Sequence, residues 1–526
     1  MGIFTQNRSM AASMICALVQ KYGWDVDILF VPPSYSASDM VSIQEEIRVR
    51  KPDLMGLSFA SYERKQAFAV ATIVKQMGVP LIAGGIHATA LPSDLVDSNL
   101  FSGIVVGDGM GVMKYILDSY TTFRDNQLII GAQHSDKRVY LDYFFSESQE
   151  EVLRTTKKID MMTSIGCPFS CRYCGSGRKT YFKNPEDYLI ETMVSLAMRY
   201  GIKIFTFQDD LLFASVKRVR AISSALEKKF PGQSVGFGRS INARASSFTE
   251  QLAEELVKLK VTDVSFGIES ASNKLLKFLN KKQTEEDCYS AIKICKKYGL
   301  FSRVNLIYGI PFQDEEDYEI TKKFIQVAKP DVVNLFYFTP YPGTDLYDFC
   351  FENGFMPDHC DRNRFDWFDP TLEGIRGLQC TLKQVDYESA RKFQREISKM
   401  YSVSETIRPA IQEIDVFPWF IIGSSVQEYF SQVLHGLNEL PLKNCLGYVD
   451  IEPEGAYSVT KRVHFTKYDD SLSVKPKCAV TYSHMSSLDY QLFRGIVSDK
   501  FGEIPLISIS SLKRHSINEI RSLLAL

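Results

Sequence analysis

DMMTSIGCPFSCRYCGSG, residues 160–177, is the stretch on which the reading of this chain turns. An apolar segment of strand character runs straight into Cys167, Cys171 and Cys174, spaced C-x3-C-x2-C on one short loop. Three thiolates on a tight loop converge on a soft metal centre. Structural zinc takes four protein ligands, and neither His134 upstream nor Cys288 downstream comes with a second paired motif. A ferredoxin-type cluster also wants a fourth cysteine. Three ligands in one loop fit a [4Fe–4S] cluster with one iron left open to a substrate or cofactor. Inert core cysteines need no such spacing.

Outward from that loop, strand-like runs recur at 203–210, 235–240, 263–270, 303–311 and 332–340, with helix-like segments between them. Six strand–helix units read as a partial (β/α)6 barrel, whose chemistry belongs at the C-terminal ends of the strands. Before it, apolar runs at 25–31, 53–60, 79–85 and 103–109 alternate with amphipathic segments, the rhythm of an open parallel sheet. Residues 3–5 offer only a stub of a first strand, which leaves that sheet short at its start. After residue 360 the texture changes: 387–401 and 426–440 read as helices, KRVHFTKY (461–468) and KCAVTYSH (477–484) as strands. The expected α/β architecture is therefore a Rossmann-like N-terminal sheet over 1–125, a connecting segment over 126–157, the barrel over 158–360 and a C-terminal α+β domain over 361–526.

Composition sets the frame. At roughly 150 residues per domain, 526 residues make three or four domains. Lys+Arg 61 against Asp+Glu 63 gives a net charge of −2, too balanced for a chain that wraps phosphate backbones, so nucleic acid is demoted as a partner. No run is apolar enough to span a bilayer, and MGIFTQNRSM lacks the layout of a secretory signal. Eleven cysteines, an odd number and mostly scattered, are unlike a disulfide framework. A cytoplasmic setting with reduced thiols is expected.

The cysteine loop on the first barrel strand resembles that of the radical S-adenosylmethionine (SAM) superfamily, and the likeness runs from about 158 to 350. FTFQDDLLF (205–213) resembles the acidic second-strand motif, with Asp209 and Asp210 where the superfamily handles the methionine moiety or substrate. VSFGIES (264–270) is similar to the fourth-strand motif, whose glutamate, here Glu269, hydrogen-bonds SAM. LIYGIPFQDEEDY (306–318), with Pro311, and YFTPYPGTDLY (337–347) match the later motifs. The resemblance implies cluster ligation by Cys167, Cys171 and Cys174. It puts Tyr173, Gly175 and Arg239 near SAM too: Tyr173 shielding the cluster or touching adenine, Gly175 leaving room for close approach, Arg239 neutralising the SAM carboxylate. A plainer reading stands beside each, since an acidic residue at a strand end is often only a helix cap.

IAGGIHATALP (82–92) and VVGDGMG (105–111), in that order before the barrel, resemble the cobalamin-binding domain of B12-binding radical SAM proteins. Gly84, Gly85, His87 and Thr89 match its first segment; Gly107, Asp108 and Gly109 match the second, with Asp in the place of a glutamate and Gly111 where another glutamate is common. The D-x-H-x-x-G motif that supplies an axial histidine elsewhere is absent, so cobalamin is expected base-off without that ligand. His87 also has a structural reading as a loop histidine.

The resemblance implies three cofactors, a [4Fe–4S] cluster, SAM and cobalamin, with an external one-electron reductant such as flavodoxin or ferredoxin. The leading expectation is methyl transfer to an unactivated carbon of a small molecule or peptide: one SAM methylates cob(I)alamin and a second yields the 5′-deoxyadenosyl radical. Radical cyclisation or rearrangement is the alternative, and a non-catalytic iron–sulfur sensor the more distant one. A methylthiotransferase needs a second cluster, yet Cys16 is the only cysteine before Cys167. Cys350 and Cys360, with His359 beside the latter, read as ordinary thiols or as groups approaching the site; DRNRFDWFDP (361–370) reads as a loop packed on the barrel or closing over substrate.

Overall fold

The computed structural model describes residues 2–365 apart from 6–9, 31–36, 124, 176–180, 212–215, 232–235 and 238–239, then isolated positions between 382 and 397 and five strands between 419 and 508. The first sheet comprises β1 (Gly2–Thr5), β2 (Asp27–Phe30), β3 (Met55–Ser58), β4 (Leu81–Gly84), β5 (Gly103–Val106) and β6 (Gln127–Ile130), all parallel, in the order β2-β1-β3-β4-β5-β6. The stub expected at residues 3–5 is a true strand: β1 pairs with both β2 and β3. The order reverses there, which makes the β1/β3 edge the switch point where such sheets open a crevice at their C-terminal ends. Residues 127–130, read from sequence as part of a connecting segment, close the sheet as β6, with Leu128 and Ile130 exposed on its edge.

Helices cover both faces. Arg64–Gln76 places Ala67, Val70, Ala71 and Val74 at helical spacing on one stripe, which packs with Ile43 and Ile47 against Met55, Leu57, Leu81 and Ala83. On the other face Met14, Leu18, Met113 and Leu117 cover Ile82, Val105 and Ile129. Covered on both sides, β3, β4 and β5 read as unbroken apolar runs rather than alternating ones.

The barrel follows from β7 (Lys158–Met161). A two-stranded flap, β8 (Ser164–Ile165) with β9 (Phe182–Lys183), brackets the cysteine loop. Next come β10 (Ile204–Phe207), β11 (Gly236–Phe237), β12 (Ser240–Ala243), β13 (Asp263–Glu269), β14 (Phe301–Tyr308) and β15 (Val332–Tyr337). β7, β10 and β11 pair in parallel, as do β12 to β15. The third unit of the repeat contributes β11 to the first of these sheets and β12 to the second. Along β14, Ser302, Val304, Leu306 and Tyr308 are buried while Arg303, Asn305 and Ile307 are half-buried on the opposite face. That opposite face carries a polar ladder: Asn334 Nδ2 donates to Asn305 Oδ1 at 2.9 Å, and Asn305 Nδ2 to Ser265 Oγ at 2.9 Å. Branched apolar residues usually fill this position in a closed barrel.

The C-terminal strands are β16 (Trp419–Gly423), β17 (Cys445–Pro453), β18 (Lys461–His464), β19 (Cys478–Thr481) and β20 (Leu506–Ser508), ordered β18-β17-β16-β19-β20. β18 and β19 fall on the two stretches read as strands from sequence. Only β17 and β18 pair antiparallel; the other three pairings are parallel. The helix expected over 426–440 and most of that over 387–401 lie outside the described residues. Among the described residues no helix is long and apolar enough to cross a membrane.

Candidate active site

The cysteine loop leaves the C-terminal end of β7, and its entry is tied down by Asp209. That carboxylate is buried; its Oδ1 accepts from Thr163 N (3.0 Å), Thr163 Oγ1 (2.8 Å), Ser164 N (2.6 Å) and Ser164 Oγ (2.6 Å), and its Oδ2 from Thr163 N at 3.0 Å. Arg218 adds bonds to the carbonyls of Thr163 (3.0 Å) and Asn184 (3.1 Å). Asp209, expected beside SAM, therefore gives its acceptors to the backbone just before Cys167. Asp210 is exposed and close enough to Cys167 for its charge to push that thiol up, after burial and the neighbouring thiols Cys174 and Cys171.

Further along, Cys174 N donates to Cys171 O at 3.1 Å, and Arg172 between them is clamped on both sides. Its N–H donates to Leu279 O (3.0 Å), its carbonyl accepts from Leu346 N (2.9 Å), and its guanidinium lies 4.8 Å from the Phe278 ring centroid and 5.0 Å from that of Phe349. Asn280 Nδ2 holds Ser170 O at 2.8 Å. The three cysteines are half-buried and unpaired. Among the described residues, a Cβ on Gly175 would meet nothing within 4 Å.

Across the opening, β13 ends on Glu269 with φ +66°, beyond a register shift at Gly267. That turn aims the buried carboxylate back toward the cysteine loop. Glu269 Oε1 accepts from Tyr173 OH (2.8 Å) and Lys281 Nζ (2.8 Å), and Lys281 Nζ also donates to Tyr173 OH at 2.7 Å. A Cβ on Gly267 would lie 2.5 Å from Glu269 Oε1 and 3.1 Å from Lys281 Nζ, so a side chain there would crowd the pair. Burial, then the Glu269 charge, raises the Tyr173 phenol well above its usual range. Lys281 escaped the sequence reading because nothing in NKKQT (280–284) separates it from an ordinary surface lysine. Pro311 is buried behind a turn in which Gln313 Oε1 accepts from Gly309 N (2.8 Å) and Ile310 N (3.1 Å). Arg239 lies outside the described residues.

The two glycine loops of the first sheet are bound to each other. Thr89 Oγ1 donates to Gly85 O (2.8 Å) and accepts from Gly107 N (3.0 Å). Gly85 (φ +90°) passes so near β3 that a Cβ would sit 2.7 Å from Ser58 Oγ. His87 is fully buried: Nδ1 meets Ser61 Oγ and Nε2 meets Asp94 Oδ2, each at 3.0 Å. Both ring nitrogens of His87 are thus engaged within the protein. Arg64 completes the network by a fork onto Asp94 (2.5 and 2.7 Å). Asp108 is likewise internal, accepting from Met110 N (2.9 Å) and Tyr140 OH (2.5 Å). Gly84 and exposed Ile86 line the open side, where a Cβ on Gly84 would meet nothing.

These loops reach the barrel. Gly343, at the barrel mouth, approaches Ala90 so closely that a Cβ would lie 2.8 Å from Ala90 Cβ; the buried Phe365 ring stands 6.2 Å from that of His87; Ser93 Oγ donates to Asn363 O at 3.4 Å. The donor set fits a cluster. Among the described residues no three His, Cys, Asp or Glu side chains converge on a single ion, whereas a [4Fe–4S] core takes its thiolates on different irons and so at wider separation. Arg244, buried beside Cys171, has a nitrogen with no acceptor among the described residues.

A parallel sheet with a glycine-lined edge, set against a β/α barrel with three cysteines on its first loop, defines a radical-type enzyme built on two cofactor-binding domains. Family models agree: the B12 binding domain matches residues 6–116 and the Radical SAM superfamily residues 161–325. The chain is a radical SAM enzyme with a B12-binding domain, a class whose cofactors are a [4Fe–4S] cluster, SAM and cobalamin. It is 28% identical over 415 residues to an uncharacterized methyltransferase of Pyrococcus horikoshii, covering 74% of this chain and 86% of that one. It is 23% identical over 383 residues to the anaerobic magnesium-protoporphyrin IX monomethyl ester cyclase of Rubrivivax gelatinosus, covering 67% and 68%. Among solved structures, the cobalamin-dependent SAM radical enzyme OxsB with aqua-cobalamin and SAM bound has a TM-score of 0.59 at 12% identity, over 83% of this chain and 70% of that one.

Proposed function

We propose that this enzyme transfers a methyl group to an unactivated carbon of a small molecule or peptide. The observation that carries the reading is the meeting of the two loops: the glycine edge of the first sheet touches the barrel mouth through Ala90 and Gly343, on the side where Glu269 and the cysteine loop lie. When bound, the cofactors supply the chemistry: a reducing electron and radical initiation from the cluster with SAM, and a transferable methyl from cobalamin.

The chain's own residues bind, orient and shield. Cys167, Cys171 and Cys174 hold the cluster, and Asp209 acts through Thr163 and Ser164 to fix the loop that carries them. Glu269, held by Lys281 and Tyr173, presents a carboxylate to the polar groups of SAM; Gly175 leaves room there, Asp210 stands on the exposed rim, and Pro311 shapes the wall. Gly84, Gly85, Thr89, Gly107 and Gly109 form the cobalamin edge, with His87 and Asp108 as its internal ties. An external one-electron donor such as flavodoxin or ferredoxin drives the reaction. Eight unpaired cysteines among the described residues suit a reducing cytoplasm.

The similarity to a cyclase favours a second outcome on the same scaffold, radical ring closure. One experiment separates them. The chain is reconstituted anaerobically with iron, sulfide and hydroxocobalamin, desalted, and analysed for about four irons and one cobalt; SAM and a reductant are then added. Methyl transfer yields S-adenosylhomocysteine together with 5′-deoxyadenosine, and cyclisation yields 5′-deoxyadenosine alone. Retained cluster without SAM cleavage would refute both and leave a sensor.

A further inference from the structure

Arg244 follows β12 and stands on the turn that opens at Ala245. It is only 6% exposed, and its backbone is fixed by Ser247, whose N–H (3.1 Å) and hydroxyl (3.2 Å) donate to the Arg244 carbonyl. Its guanidinium is distributed over unusual partners. Nε donates to Ser246 Oγ at 2.9 Å, Nη1 points at Cys171 Sγ at 3.7 Å, and Cζ lies 3.9 Å from the centroid of the Phe169 ring. Nη2 is buried with no acceptor, and no carboxylate pairs with the side chain among the described residues. A guanidinium stays charged at any working pH, and a buried charge needs an anion and filled donors. Among the described residues the one anion-forming group within reach is the Cys171 sulfur, on the cysteine loop.

We infer that Arg244 is the built-in counter-charge of the iron–sulfur centre, held by Phe169 and Ser246 against Cys171 so that it eases the centre's one-electron reduction. This rests on the cluster reading above. A thiolate-ligated cluster is anionic, and reduction adds one more negative charge from the external donor. A fixed cation in a site screened from water stabilises the reduced form more than the oxidised one, and hydrogen bonds to sulfur act in the same direction. Arg244 is thus a positioning and charge-tuning residue. The sequence alone suggested Arg239 as the cation of this region; no local signal distinguishes Arg244, because its role follows from the fold carrying the end of β12 beside a loop more than seventy positions earlier.

The test uses the full chain, reconstituted anaerobically without SAM, and an electron-paramagnetic-resonance titration of the cluster against dithionite. Wild type is compared with Arg244→Gln, which keeps an amide donor but no charge, and Arg244→Lys, which keeps the charge. Arg244→Gln is expected to change the reduced-to-oxidised ratio at fixed potential about tenfold, a downward midpoint shift of about 59 mV for a one-electron couple, with Arg244→Lys shifted less than half as far. Loading of the lysine variant but not the glutamine variant would also support a charge role. Equal midpoints in wild type and Arg244→Gln overturn the inference, as does an unchanged midpoint with weakened SAM binding, which would make Arg244 a SAM-carboxylate partner. Loss of the cluster in both variants overturns it in favour of a purely structural guanidinium. A wild-type chain that takes no cluster removes the underlying reading itself, an outcome visible before any variant is measured.

Discussion

Asp209 separates two accounts of the acidic motif on β10. If it binds SAM, its replacement weakens SAM and leaves the loop intact; if it anchors the loop, the order is reversed. In Asp209→Ala, the N–H groups of Thr163 and Ser164 lose their acceptor in a buried setting. At about 1–3 kcal/mol for each stranded donor, local stability of the loop falls by about 3–5 kcal/mol. Asp209→Asn keeps an oxygen at the Oδ1 position, where four of the five contacts converge, and sets an amide donor against Thr163 N in place of Oδ2. Its cost is therefore about 1 kcal/mol, near the worth of a single hydrogen bond. Hydrogen exchange of a peptide covering 162–170 in the cluster-free protein reads this directly, since local opening sets the rate. With about 1.4 kcal/mol per tenfold, exchange should speed up about fivefold in Asp209→Asn and 100-fold or more in Asp209→Ala. Unchanged exchange in Asp209→Ala, with SAM affinity lost in the reconstituted enzyme, would refute the anchoring argument and restore Asp209 to the SAM site.

Lys281→Met strands the Glu269 carboxylate in a buried site and should destabilise the barrel by about 3–5 kcal/mol, while Tyr173→Phe, which leaves the ion pair in place, costs about 1 kcal/mol; urea unfolding monitored at the barrel checks the ranking. Asp94 gives a pH signature: burial raises its carboxyl, but the hydrogen bonds and charges of Arg64 and His87 outweigh it and hold it below its usual value. The folded group therefore binds its proton less tightly than the unfolded one, so its stabilisation is present above about pH 4 and is lost as pH falls through the depressed value; Asp94→Asn should flatten that part of a thermal-melt profile. Burial pushes the thiols of Cys350, Cys288 and Cys16 up to about 12, so iodoacetamide at pH 8 should leave these three unlabelled in the folded, cluster-free chain, as peptide mass spectrometry would reveal. Gly111→Glu, which introduces the glutamate that the family resemblance leads one to expect there, drives a Cβ against Ala132 O and should cost about 1–3 kcal/mol of sheet stability, measurable by the exchange rate of residues 105–113.

The barrel and the cysteine loop were legible because their signals are local: apolar runs at strand length, glycines at the strand ends, three thiols on one loop. What stayed hidden depends on long-range partners. β1 looks like a stub since four residues carry too little periodicity, yet pairing on both sides makes it central. β6 looks like linker because its edge position leaves Leu128 and Ile130 exposed. Motif position located Asp209, Glu269 and His87 at the right strand ends but could not say which way each carboxylate or ring turns. Glu269 turns toward the cysteine loop because φ +66° beyond a register shift redirects it; Asp209 turns inward onto backbone and hydroxyl donors, and His87 onto Ser61 and the Asp94 carboxylate.

That division points to a common design at the mouth. Gly84, Gly175 and the exposed Asp210 stand at the strand ends, while His87, Asp108 and Asp209 spend their hydrogen bonds on the loops that carry them. Loops at strand ends are the least restrained part of an α/β fold, and an enzyme that aligns three reactive centres cannot leave them free. Each loop is accordingly held by a side chain hydrogen-bonded within the protein: Thr163 and Ser164 by the buried Asp209, the first glycine loop by the buried His87 through Asp94 and Arg64, the second by the half-buried Asp108 through Tyr140. A polar residue in a motif at a strand end is then as consistent with fixing a loop as with touching a ligand, and the two are told apart by counting the donors and acceptors it has already filled.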